Sequence, residues 1–294
     1  MSLWNDFVGQ LPQLLAYGLV TASVLGLGAV GWSFLYRIFN FANFAHGDLM
    51  TLGAYWGLLF NVGWRLPWSL AFPLAIVATI GSALFIDRVF YRPLRRRGSA
   101  VLLISSAGMA LVLRNTLRLF WGQSVHSYDL GFHQAILVLP GVRLTPEALI
   151  GMAFALVVTL GLFGLLQYTR MGKALRAAAD DLDLARVCGM SLTWITRWTW
   201  VLGAGLAAVG GIVLGVEQHL LYPLMGWNLL LPIFAAAVLG GLDHPSGALL
   251  GALVIGVGEE LFGFFFPNYR PALALVVLIG LLLWRPAGLL GGRS

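Results

Sequence analysis

The run Leu11–Phe34 contains no charged side chain. A helix needs only about 20 mostly apolar residues to cross a bilayer. Apolar runs recur along the chain at Leu66–Ile86, Ser99–Phe120, Ala148–Thr169, Trp198–Val216, Asn228–Leu242, Pro245–Phe266 and Pro271–Trp284, charged only at Arg114 and Arg118 in the second of these and Glu259 and Glu260 in the sixth. A chain built this way has few folds open to it. In lipid every backbone N–H and C=O must be satisfied internally, so a bundle of spanning helices is expected. Charged residues make up 10% of the 294 residues, against 59% hydrophobic. A soluble domain carries roughly 25% charged residues, so too little charge is left to cover a water-facing surface.

A further segment, Phe41–Val62, is the least regular of the candidates and brings the expected spans to eight or nine. It holds Asn43, His46, Asp48 and Thr51 among apolar neighbours. Ionisable groups inside a span are costly and point to function. On a continuous helix Asn43 and His46 share a face, while Asp48 points elsewhere and would cap or brace a neighbouring helix. A polar face lining a path through the bilayer and a capped helix start at the membrane surface both fit these residues.

The net charge of +6 would suggest nucleic acid in a soluble protein. Here the basic residues cluster in short loops instead, as the positive-inside rule expects. One side receives Arg37, the Arg88–Arg97 cluster, Arg170, Lys173, Arg176, Arg186, Arg197, Arg285 and Arg293. The other receives Arg65, Arg143 and Arg270, with Arg114 and Arg118 near it. The first side is therefore expected to be cytoplasmic, and nine spans would leave the N-terminus outside and the C-terminus inside. The first ten residues have no basic region and carry Asp6, so they do not read as a cleaved signal peptide. Residues 121–147 read as an external loop with a short helix or hairpin. No internal repeat is apparent.

Catalytic signatures are missing. There is no HExxH, GxSxG or Walker A pattern, and Cys188 is the lone cysteine. No catalytic residue, metal site or cofactor is expected, and any ATP hydrolysis would belong to another chain. The longest polar stretch, 170–197, reads as a helix from Gly172 to Val187. Leu175, Ala178, Leu182 and Ala185 would form a narrow apolar stripe on it, better explained by docking to a partner than by solvation. The adjacent Glu259 and Glu260 cannot both face lipid cheaply. A tilted span would place them near the outer face, solvated, with Glu217 and His219 in the same position. The pairs Gly53/Gly57, Gly211/Gly215 and Gly247/Gly251 suit close helix packing.

Five ordered motifs carry a family resemblance over nearly the whole chain. They are Asn43-Phe44-Ala45-His46-Gly47-Asp48 with Gly53-Ala54-Tyr55, Tyr91-Arg92-Pro93-Leu94-Arg95, and Met171 to Gly189. Ala237-Val238-Leu239-Gly240-Gly241 with Pro245 to Gly251 is the fourth, and Arg285-Pro286-Ala287-Gly288-Leu289-Leu290-Gly291 is the fifth. Together they resemble the LivH-type permeases of branched-chain amino acid ABC importers. Asp48 stands where that family usually has Glu, and Leu242-Asp243-His244 where it often has a glycine-serine-isoleucine turn.

The resemblance implies an all-α integral membrane protein: one domain over 1–294, eight or nine transmembrane helices with short loops, and a cytoplasmic coupling region at about 170–192. It implies an inner-membrane permease subunit with no activity of its own on substrate. The implied partners are a second, LivM-like permease, two ATPase subunits, an extracytoplasmic substrate-binding protein and the lipid bilayer. Gly172, Arg176, Asp181, Ala185 and Gly189 would couple to an ATPase. Asn43, His46, Asp48, Thr51, Ser105 and Ser106 would line the path or gate for a zwitterion, which is expensive to desolvate. Urea and short-amide permeases resemble the same pattern and stand as the alternative substrate class. A stand-alone secondary transporter or channel is the other alternative, distinguished by transport without ATP.

Overall fold

The structure, a computed structural model, describes residues 2–131, 134–242, 244–285 and 288–290. His133 of the external loop, Asp243 of the departing turn, and Pro286, Ala287, Gly291 and Arg293 of the tail lie outside the described residues. Among the described residues the chain is helical apart from one hairpin and an isolated bridge between His126 and Leu221. In order come α1 (Ser2–Phe39), α2 (His46–Leu58), α3 (Trp68–Ile86), α4 (Arg92–Leu94), α5 (Ser99–Trp121), α6 (Pro146–Tyr168), α7 (Arg170–Asp180), α8 (Leu182–Val187), α9 (Leu192–Gln218), α10 (Met225–Gly240), α11 (Pro245–Phe265) and α12 (Ala272–Trp284). A π-helical turn, Leu59–Gly63, extends α2.

Six helical stretches are long and apolar enough to cross a membrane, and α10 and α12 are shorter apolar helices. The expected first span, Leu11–Phe34, proves to be the middle of α1, which runs on at both ends and is longer than a bilayer core requires. The expected Trp198–Val216 likewise starts earlier, at Leu192, because the Ser191 hydroxyl accepts from the Trp194 amide and caps α9. The 121–147 loop holds the hairpin β1 (Ile136–Leu139) and β2 (Val142–Leu144), turned at Gly141 with φ +84°.

The helices divide by burial. The inner helix α9 buries an almost continuous run from Leu206 to Gly215. By contrast α3, α6 and α12 leave Val77, Val157 and Leu283 exposed on their outer faces. A helix apolar all round, with one side against the bundle and the other bare, is suited to lipid. Small residues hold the inner helices together. A side chain at Gly211 would overlap the Met50 carbonyl, and one at Gly251 would overlap the carbonyl of Ala236. Gly53, Gly211, Gly247 and Gly251 therefore mark backbone-to-backbone contact, as packing in lipid requires, whereas Gly57 and Gly215 make room for the Tyr128 ring.

An internal repeat, not expected from the sequence, emerges in the fold. α1 ends at a left-handed Asn40 (φ 51°) and α9 at a left-handed His219 (φ 52°). Six-residue connectors, 40–45 and 219–224, then lead into α2 and α10. Both connectors close with the same bonds. His46 N donates to Asn43 O and Leu49 N to Ala45 O, as Met225 N does to Tyr222 O and Asn228 N to Leu224 O. The packing follows the same exchange: α1 lies on α11 and α10, and α9 on α3 and α2. At matching positions Gly26-Leu27-Gly28-Ala29-Val30-Gly31 of α1 answers Gly205-Leu206-Ala207-Ala208-Val209-Gly210 of α9, and Gly47 answers Gly226, while most other residues differ. Both connectors turn back into the bundle. His46 Nε2 lies 3.0 Å from the carbonyl of Gly28, which is about 16 Å up α1 from its end at 1.5 Å per residue. Both α2 and α10 therefore begin deep inside the protein.

Candidate functional site

The first turns of α2 and α10 meet. A side chain on Gly226 would overlap the Gly47 carbonyl, and one on Gly47 would overlap that of Gly226. Each is the second residue of its helix, so both must be glycine for the two ends to touch. Thr51 ties them: its hydroxyl donates to the Gly47 carbonyl at 3.2 Å and accepts from the Gly226 amide at 3.0 Å. Helix N-termini carry partial positive charge and unsatisfied N–H groups. Two placed together without water need a counter-charge.

Asp48, in the first turn of α2 and fully buried, supplies it. Its two carboxylate oxygens accept from Nε and an Nη of Arg114 on α5, both at 3.1 Å. The Arg114 guanidinium lies 4.3 Å from the centre of the Trp227 ring at the start of α10. The trio Asp48, Arg114 and Trp227 thus locks α2, α5 and α10 at one point. Sequence reading placed Arg114 near the outer surface without a role and did not single out Trp227. Opposite charges in two different spans were the available signal for the first of these.

The other candidates at this end lie as follows. Asn43 precedes α2, so it does not share a helix face with His46. Its Oδ1 accepts from the Ala45 amide at 3.1 Å, a short turn that starts the helix. His46 is fully buried, held by Gly28. The Ser106 hydroxyl is buried, accepting from the Phe44 amide at 3.1 Å and donating to the Leu103 carbonyl at 2.7 Å. Ser105 is half-buried and donates to Val101 on its own helix. Asn43, Ser106, His46, Asp48 and Thr51 therefore converge on the α2 start, while Ser105 turns away from it.

A second constellation lies at the opposite ends of α1 and α9, which we call the basic face. Asp87 accepts from Trp200 Nε1 at 2.7 Å and pairs with Arg95. Tyr91 stacks flat on Trp200, with ring centres 5.4 Å apart, and Arg95 covers the Phe39 ring at 4.6 Å. The Tyr91-to-Arg95 motif is thus a clamp that closes the ends of α1 and α9.

The coupling candidates occupy the same face, with a correction. The stretch Gly172–Val187 is not one helix. Asp181 takes an extended conformation, and its carboxylate accepts from the Asp183 and Leu184 amides at 2.9 Å each. That cap ends α7 and starts α8. The expected stripe is also redistributed. Leu175, Ala178 and Ala185 are buried within this chain, and Gly172 is packed against the Leu165 and Leu166 carbonyls. Leu182, Leu184 and Val187 are the exposed apolar residues instead, Val187 at 83%. Arg176 bonds Gln167 at 2.6 Å, and Gly189 has φ +83° in open space. Arg37 on α1 pairs with Asp180 at 2.7 Å and anchors α7.

Glu259 and Glu260 depart from expectation. Rather than being solvated, they are 5% and 9% exposed. Glu260 accepts from Thr21 at 2.8 Å and pairs with Arg270. Burial is possible because the polar partners come from α1 and from the segment before α12.

Comparison with known proteins adds a family. Residues 14–284 match the model described as the branched-chain amino acid transport system / permease component. The chain is 31% identical over 301 residues to the high-affinity branched-chain amino acid transport system permease protein LivH of Escherichia coli strain K12. The corresponding BraD protein of Pseudomonas aeruginosa is 33% identical over 293 residues. Each alignment covers 95% of both chains. A probable LivH of Methanocaldococcus jannaschii is 29% identical, over 95% of this chain and 92% of that protein. Among solved structures, PsaBC from Streptococcus pneumoniae in complex with Fab is similar, with a TM-score of 0.51 and 14% identity over 95% of this chain and 94% of that one. The last likeness concerns the fold alone.

Proposed function

We propose that this chain, which belongs to the branched-chain amino acid transport permease family, forms part of the membrane path of an ABC importer for branched-chain amino acids. The whole of 1–294 acts as one permease domain. It crosses the inner membrane nine times, through α1, α2, α3, α5, α6 and α9 to α12. The basic face is cytoplasmic, which puts the N-terminus outside and the C-terminus inside, in accord with the excess of arginine there. A LivM-like second permease completes the path, a binding protein delivers substrate on the outer face, and two ATPase subunits supply the energy.

One observation carries this reading: the apolar ridge of α8. Leu184 and Val187 stand exposed on the basic face beside the ionic side chains of Asp183 and Arg186. Their charged neighbours place them in water rather than lipid, and apolar residues gathered in water mark a docking surface. Asp181 sets the ridge by capping α8. Ala185 is buried beneath the ridge, Gly172 and Arg176 seat α7 on the end of α6, and Gly189 lets the chain turn after α8, so movement of an ATPase against the ridge is passed to α7 and, through Arg37, to α1. At the other end, the buried cluster around Asn43, His46, Asp48, Thr51 and Ser106 acts as the gate's rigid hinge. Ser105 lies beside it on α5.

The test is capture of the tagged chain from native membranes in mild detergent. A nucleotide-binding subunit is expected to co-purify in stoichiometric amount. Recovery of the chain without any ATPase sinks the assignment.

A further inference from the structure

A second polar cluster lies beside the α2–α10 junction, toward the face opposite the basic one. A cavity of about 480 Å³ lies between α1, α9, α10 and α11. That volume falls in the range of about 300–1,000 Å³ usual for small-molecule sites, far more than a bare ion needs. Its lining combines the charged Glu217, Glu259, Glu260 and Arg270 with the apolar Leu25 and Leu229.

The charges are not matched internally. Glu260 is satisfied by Thr21 and Arg270. Glu259 is 5% exposed, and its Oε1 has no hydrogen-bond partner among the described residues. A buried carboxylate oxygen without a donor is expensive and calls for an explanation in function. Arg270, with 40% of its side chain exposed, presents further N–H donors of a five-donor fork beyond the pair with Glu260. The lining therefore offers a carboxylate oxygen in want of a donor beside a guanidinium able to bind a carboxylate, with apolar side chains among them.

We infer that this cavity is a binding site for a free aliphatic amino acid within this single chain. The ammonium group donates to Glu259, the carboxylate accepts from Arg270, and the side chain lies against Leu25 and Leu229. An ammonium supplies the missing donors. Pairing both poles removes the desolvation cost that a zwitterion meets in the membrane. The inference rests on the reading that the chain serves an amino-acid importer, and it adds a substrate site beside the α2–α10 junction rather than within it.

The test uses the whole importer in lipid nanodiscs without its binding protein, with radiolabelled leucine as probe. Saturable binding is expected. Glu259→Gln should weaken it at least tenfold, and Leu229→Trp, which fills the cavity without touching the charges, should abolish it. Leucine methyl ester, lacking the carboxylate, and 2-hydroxy-4-methylpentanoate, lacking the ammonium, should each compete at least tenfold less well than leucine. Absence of leucine binding to the wild-type complex overturns the inference, as does unchanged binding in Leu229→Trp, a readout that stands even where Glu259→Gln does not assemble. ATP-driven leucine uptake by the wild-type assembly, measured separately with the binding protein, tells the two readings apart. Uptake without nanodisc binding removes this site alone, whereas no uptake removes the importer reading.

Discussion

Methionine in place of Arg114 is expected to destabilise the folded permease by about 3–5 kcal/mol, the usual cost of leaving a buried partner charge uncompensated. Asp48 is fully buried, both its oxygens are held by Arg114, and it sits where two helix starts converge. Without the guanidinium, its carboxylate must either stay charged in a dry site or take up a proton and lose its place. Trp227 loses its cation as well. The expected readout is loss of the monodisperse peak in detergent and a fall in thermal midpoint. Asp48→Asn combined with Arg114→Met should recover part of the loss, because no bare charge then remains. A single Arg114→Met variant as stable as the parent would mean that the pair does not hold α2, α5 and α10 together.

Aspartate in place of Val187 is expected to cut ATP-driven uptake by more than tenfold while leaving the permease itself folded. Val187 is 83% exposed, so the unbound chain tolerates the change. An apolar groove on a partner would not, since burying a carboxylate without partners costs several kcal/mol, and about 1.4 kcal/mol already corresponds to tenfold in affinity. Ala185 makes a poorer probe because it is buried in this chain, and a carboxylate there would disturb α8 itself. The measurement pairs uptake with the melting curve of the purified permease. Undiminished uptake in Val187→Asp would remove α8 from the coupling interface.

The sequence makes the membrane character legible because long uncharged runs admit few alternatives. It also exposes the Asn43-to-Asp48 stretch, since polar groups inside such runs stand out. What it hides is whatever depends on two distant segments. The pairing of Asp48 with Arg114 joins α2 to α5, and the contact of Gly47 with Gly226 joins the starts of α2 and α10, far apart in the chain. Neither leaves a local pattern. The internal repeat is faint for a related reason: its sequence trace is confined to short pieces such as Gly26–Gly31 and Gly205–Gly210, while Asn40 and His219 share a left-handed backbone but no chemistry. The break at Asp181 is a local competition that helix propensity alone misjudges, because an aspartate able to cap the following turn gains more there than inside a continuous helix. The burial of Glu259 and Glu260 depends on Thr21 and Arg270, which neighbour them only in the folded bundle.

Uptake of radiolabelled leucine into proteoliposomes tests the central claim most directly. The vesicles would contain this chain with its partner permease and ATPase subunits, and the binding protein would be supplied on the outer side. The account predicts accumulation against the gradient only when ATP and the binding protein are both present. Leucine entry at the same rate without ATP would contradict it and make the chain a channel or a secondary transporter.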